Sequence, residues 1–142
     1  MYTCVYIDNM HIDAKIIYEK ITGGDSMVIA IPALDNNGLK SRISEHFGRA
    51  PYFAIVELTD EKIDVKHIAN TGEHFHGGSR AIDVVINHNA SVVIAHSMGQ
   101  KALDNLHQAG ITVLKTIAKT VEEAVFEYKQ GKLPEMTEGH VH

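Results

Sequence analysis

Cysteine, long apolar runs and clustered positive charge are what this sequence lacks, and each lack removes a class of function. The single cysteine, Cys4, cannot close an internal disulfide and cannot by itself hold an iron-sulfur cluster, which usually takes about four thiolates. No stretch approaches the roughly 20 apolar residues that a spanning helix needs, and no basic region followed by an apolar run stands at the start. The expectation is a soluble, cytoplasmic protein with no membrane partner. The formal net charge is -5, and the 13 Lys and Arg are scattered, so no electrostatic footprint for nucleic acid emerges. Catalytic signatures are equally scarce. There is no G-x-S-x-G elbow, no phosphate-binding G-x-x-x-x-G-K-[ST], no HExxH and no cysteine nucleophile in the core. A two-metal hydrolase gathers several carboxylates at its strand ends; here Asp35 stands alone near the first strand and His96 follows the fourth. The sequence is expected not to be an enzyme.

What is abundant is histidine. Ten of the 142 residues are His, and imidazole suits iron, zinc, copper and nickel. With 44% hydrophobic residues the chain can bury one compact core but is too short for two ordinary domains. The run Val28–Ile31 reads as a central strand ending at Pro32. Tyr52–Leu58 and Ile63–Ile68, joined by Thr59–Lys62, read as a hairpin whose second strand faces solvent on one side. The period then changes. Ser79–Asn87 places Ile82, Val85 and Ile86 on one helical face, and Ser91–Ala95 is an apolar run typical of a buried parallel strand. Gln100–Ala109, with Ala102, Leu103, Leu106 and Ala109 inward, stops at Gly110 and feeds the strand Ile111–Leu114. Thr120 and Glu123 form a capping box for a last helix that turns Ala124, Val125 and Tyr128 inward and ends at Gly131. The expected fold is α/β: one mixed five-stranded sheet with helices packed on its faces, the strands at Val28, Ser91 and Ile111 parallel and the hairpin an antiparallel extension. Residues 27–135 form the domain. Residues 1–26 are an extension, a docking helix or a flexible leader, with Met27 as a candidate translation start, and residues 136–142 are a flexible tail.

Three loops hold the unusual residues. His46-Phe47-Gly48-Arg49 combines an imidazole, a permissive glycine and a guanidinium able to clamp an anion. His74-Phe75-His76-Gly77-Gly78-Ser79 places an HxH pair before a helix start whose amides favour negative charge. His96-Ser97-Met98-Gly99 follows the buried strand, at the edge where open α/β sheets bind ligands. Taken singly, each has a plainer reading: His46 as a turn residue, Gly77-Gly78 as a turn, Met98 as a core filler. Together they point to one end of one sheet. His67, His88 and His107 read as exposed positions without a role. A further HxH, His140-Val141-His142, is either an auxiliary metal contact or flexible chain, and the second is favoured because ordering a mobile ligand pair costs entropy.

The blocks Ile29–Pro32, Ser44-Glu45-His46-Phe47-Gly48-Arg49-Ala50-Pro51-Tyr52-Phe53, His76-Gly77-Gly78, Val92–Ile94, Gly99–Ala102, Ala109–Ile111 and Thr120–Ala124 together resemble the dinitrogenase iron-molybdenum cofactor biosynthesis (NifX-like) family, a domain also found in NifB. The resemblance covers residues 27 to about 135, and the HFGRAPYF block is its most specific part. It implies a ribonuclease H-like α/β motif, and binding or carriage of an iron-sulfur-type metallocofactor, the iron-molybdenum cofactor or a precursor, with cluster-assembly or acceptor proteins as partners. It also implies a ligand role for His46. The candidate cofactor-binding residues are His46, Phe47, Gly48, Arg49, His74, His76, Gly77, Gly78, His96, Met98 and Gly99, with His46, His76 and His96 as metal ligands. Relatives often carry Cys or Gly-Gly where this chain has His96-Ser97. The competing readings are a mononuclear metal-binding or sensing module built on His74, His76 and His96, and a hydrolase on the same scaffold.

Overall fold

In a computed structural model, residues 26–60, 62–70 and 79–139 are described, with the side chains of 79 and 80 left aside. The expected extension before Ser26 and the loop from 71 to 78 lie outside these residues. The elements are β1 (Met27–Ala33), a 3-10 turn (Gly38–Lys40), β2 (Tyr52–Leu58), β3 (Ile63–Ala69), α1 (Ser79–Asn87), β4 (Val92–Ala95), α2 (Gln100–Gln108), β5 (Thr112–Lys115) and α3 (Val121–Lys129). They build one sheet of order β3-β2-β1-β4-β5. β1 is parallel to β4 and β4 to β5, while β2 runs antiparallel to both β1 and β3. The mixed sheet therefore follows the expected scheme. No helix among the described residues is long and apolar enough to cross a membrane.

The central strands are apolar on both sides because both sides are covered. On one face Ala30, Phe53, Ile55, Val93 and Val113 pack with Ala81, Ile82 and Val85 of α1 and Leu103 and Leu106 of α2. On the other, Ile29, Ile31, Ala54, Val56, Val92 and Ile94 pack with Val121, Ala124 and Val125 of α3. Ile29, Ile31, Phe53, Val93, Ile94 and Val113, all expected inside, are fully buried. Two expectations fail locally. Ile86 is 45% exposed: at about 100° per residue it lies about 120° from the middle of the stripe that Ala81, Ile82, Val84 and Val85 bury. Ala109 is exposed because α2 ends at Gln108 and Ala109 is its cap.

β1 also runs one residue beyond Pro32. There the β4 neighbour has been replaced by the segment Ile43–Ser44, with Ile43 bridged to Ala33 and the Ser44 N–H donating to the Pro32 carbonyl (2.9 Å). The stretch 136–139, expected as a mobile tail, stays on the body of the domain. Met136 is buried and donates its N–H to the Val113 carbonyl at 2.8 Å.

Candidate metallocofactor site

Topology decides which loops meet. Because β1, β4 and β5 are parallel, Ala33, Ala95 and Lys115 end on the same edge, where β2 begins and β3 finishes, Ala33 pairing with Tyr52 and Tyr52 with Ala69. The loops 34–51, 96–99 and 116–120 therefore open at one end of the sheet. This is the end at which open α/β sheets present ligand sites.

His46 stands on the first of these loops with its side chain exposed. Its backbone is clasped by the buried Ser44, whose Oγ accepts the His46 N–H (3.1 Å) and donates to the His46 carbonyl (3.0 Å). The adjacent Phe47 crosses to the two-helix face, where it is buried and meets Phe53 edge-on with centroids 5.4 Å apart. Phe47 thus anchors the loop in the core and offers no surface to a ligand, contrary to its inclusion among the contact residues. Gly48 and Ala50 are tied to the end of β3, since the Asn70 Nδ2 donates to both carbonyls (3.4 and 2.8 Å). Arg49 is exposed.

His96 is half-buried, and its Nε2 lies 2.6 Å from the Ala118 carbonyl. A carbonyl only accepts, so Nε2 carries the hydrogen and the Nδ1 of the neutral ring keeps its lone pair. Nδ1 has no partner among the described residues. A histidine held this way, one nitrogen donating to backbone and the other open, has the arrangement typical of a metal ligand. Next to it the Ser97 Oγ donates to the Glu45 carbonyl (3.1 Å) and so fastens the His96 loop to the His46 loop. Met98, expected among the contact residues, is buried in the two-helix core and holds the loop from beneath. Gly99 caps the start of α2.

His46, Arg49, His96 and Gly99 are thus placed on loops of one sheet end, two of which are directly bonded. His74, His76, Gly77 and Gly78 lie outside the described residues. Among the described residues no three His, Cys, Asp or Glu side chains gather closely enough to hold a metal ion by themselves. The only ion pair among them is Lys62–Asp64, which leaves Arg42, Arg49 and Lys119 at this end of a chain of net charge -5 without a carboxylate partner from those residues. The donor set, two imidazoles and several cations, fits a guest that brings its own anionic ligands better than a bare ion.

His67, to which the sequence gives no role, braces the same loop from the α3 face. Its Nε2 accepts the Gly38 N–H at 2.9 Å and lies 3.5 Å from the Ser41 Oγ. Burial pushes the ring below its ordinary pKa, and the nearby Asp35 carboxylate pulls it back in part. Ser41 in turn accepts the Val121 N–H on its carbonyl (2.9 Å), linking this brace to the start of α3.

Comparison with known proteins gives a consistent picture. The family model for the dinitrogenase iron-molybdenum cofactor matches residues 27–131. An uncharacterised protein of Methanocaldococcus jannaschii is 36% identical over 110 residues, covering 75% of this chain and 89% of its own. Among solved structures, the apo form of the orange protein of Desulfovibrio gigas superposes with a TM-score of 0.70 at 28% identity, over 80% of this chain and 96% of the other. A Thermotoga protein assigned provisionally to NifB gives a TM-score of 0.67 at 29% identity, over 80% and 97%.

Proposed function

This chain belongs to the dinitrogenase iron-molybdenum cofactor family, and on that premise we propose that it binds and carries an iron-sulfur-type metallocofactor, the iron-molybdenum cofactor or a precursor, without turning over a substrate. The cluster is cargo. In this reading it is held at the sheet end whose loops carry His46, Arg49 and His96, with His74, His76, Gly77 and Gly78 as further proposed contacts. The strand order β3-β2-β1-β4-β5 accords with the ribonuclease H-like motif, which belongs to this proposal.

The observation that carries the reading is the Ser97 to Glu45 bond. It couples two histidine-bearing loops that are 52 positions apart, and each is further pinned by Ser44, Asn70 or Ala118. Such bracing lowers the entropy lost when a ligand is clasped. A preassembled cluster supplies its own sulfides and negative charge, so imidazole, guanidinium and backbone amides suffice to hold it where core cysteines are scarce. Cluster-assembly or acceptor proteins are the partners this role requires.

Anaerobic loading with iron and sulfide, followed by desalting, metal and sulfide analysis and visible spectroscopy, tests the role. Retained iron and sulfide with charge-transfer absorption is the expected result. Iron retained without sulfide would replace the cluster carrier by a mononuclear metal module, and retention of neither would remove both.

A further inference from the structure

The sheet has two outer strands, β3 and β5. Along β5 the Lys115 N–H donates to the Pro134 carbonyl and the Met136 N–H to the Val113 carbonyl, both at 2.8 Å, with Glu135 bridged to Leu114. Among the described residues β3 has no such cover on its outer side. Its pairing with β2 shows which of its backbone groups remain. The Thr59 N–H donates to the Lys62 carbonyl (3.0 Å) and the Asn70 N–H to the Pro51 carbonyl (2.9 Å), and the register between them is unbroken. Bonded pairs alternate along an antiparallel ladder, so Asp64, Lys66 and Ile68 spend their backbone groups on β2. The N–H and C=O groups of Ile63, Val65, His67 and Ala69 point outward, as a template for another strand.

Asp64 and Lys66 are exposed on one face of this edge, and neither is well matched inside its own chain. Asp64 stands directly opposite Glu57, and Lys66 opposite Ile55; like charges set opposite each other destabilise a strand pair. The ion pair from Lys62 Nζ to Asp64 Oδ2, at 3.9 Å, joins two largely exposed side chains and contributes little. Turned about a two-fold axis through Val65, the same strand complements itself. The outward groups of Val65 then bond to the partner's Val65, and those of Ile63 to the partner's His67. Between them lie the non-bonded positions, where Cα atoms approach to about 4.5 Å. There Asp64 meets the partner's Lys66, and Lys66 the partner's Asp64. Registers centred on residue 64 or 66 instead set Asp64 against Asp64 or Lys66 against Lys66, so the charges select one alignment.

We propose that β3 is a docking edge for a second copy of this chain, the two β3 strands pairing antiparallel about Val65 into one continuous sheet. Such an interface is isologous, each copy giving and receiving the same two charge pairs. β3 finishes at the candidate-site end of its own sheet, so an antiparallel partner carries its site at the opposite end. Both sites stay open in the pair, and the inference stands independently of the carrier role.

Sedimentation equilibrium of the 142-residue chain over a range of concentrations, with charge-swapped variants, provides the test. Wild type forms a concentration-dependent dimer, and amide exchange at Val65 slows as its concentration rises. Asp64→Lys and Lys66→Asp each turn two attractive pairs into two repulsive ones and weaken dimerisation at least about tenfold, about 1.4 kcal/mol. Both positions are exposed, so the swaps leave the monomer folded. The double variant Asp64→Lys/Lys66→Asp restores the dimer, and a mixture of the two single variants forms a heterodimer. A wild type that stays monomeric up to about 1 mM overturns the proposal, and protection at Val65 independent of concentration would then assign the edge to another segment of the same chain. Dimerisation that survives both single swaps, or that the double swap fails to restore, overturns it as well.

Discussion

Replacing His67 by leucine isolates the brace beneath the site loop. Leucine keeps most of the apolar bulk on β3 but removes the acceptor of the Gly38 N–H (2.9 Å). A typical hydrogen bond contributes about 0.5–1.5 kcal/mol, and a donor stranded away from water costs about 1–3 kcal/mol. Gly38 is only half-buried, so water takes over part of the bond, and the expected loss is about 1–2 kcal/mol near pH 8. The pH dependence follows from the lowered ring pKa, whose largest cause is burial, with Asp35 opposing. A folded-state pKa below the unfolded value means that the unfolded chain takes up the proton first. The brace is therefore fully present above the ordinary value of about 6.5 and is lost as pH falls through it toward the folded pKa. The stability gap between wild type and His67→Leu should be widest near pH 8 and should narrow on acidification. Denaturant unfolding at several pH values measures it, and amide exchange at Gly38 reports the local bond. A gap of the same size at pH 5 and pH 8, or none at pH 8, would refute the reasoning.

Three further substitutions probe other joints. Thr120→Ala removes the side-chain acceptor of the Glu123 N–H (3.2 Å) at the start of α3 and should cost about 1 kcal/mol in unfolding free energy. Met136→Ala empties a buried site beneath the edge of β5 and should cost about 2–4 kcal/mol in the same measurement. Ser97→Ala deletes the bond to the Glu45 carbonyl; because the group is partly solvated the stability loss should stay below about 1 kcal/mol. Retention of a loaded cluster should nevertheless fall, because the two histidine loops are no longer fastened.

The sheet was legible because its signals are local. The turn Thr59–Lys62 is too short for anything but a hairpin, and the helical periods before β4 and before β5 favour parallel crossovers. Strand alternation held even the role of His67: it falls on the same side as Ile63 and Val65 rather than with the exposed Asp64 and Lys66, a signal that a generic view of histidine as polar concealed. What was not legible is long-range. The bonds from His96 to Ala118 and from Ser97 to Glu45 join positions 22 and 52 residues apart, and no spacing rule announces them. The same holds for the return of residues 134–136 along β5, since that stretch has no alternating pattern and owes its place to a free edge. Phe47 and Met98 were placed at the ligand by their position in the loops; their bulk belongs to the core, where it anchors those loops.

The central claim is that the imidazoles on the joined loops hold a metallocofactor. Cluster occupancy per chain, measured as bound iron and sulfide after anaerobic loading and desalting of wild type and His46→Ala in parallel, tests it most directly. His46 is exposed, so its removal should leave unfolding free energy within about 0.5 kcal/mol of wild type. Cofactor affinity should fall at least about tenfold, about 1.4 kcal/mol, because charge from Arg49 cannot replace a directional metal bond. Equal occupancy in the two proteins across the whole loading range would contradict the claim.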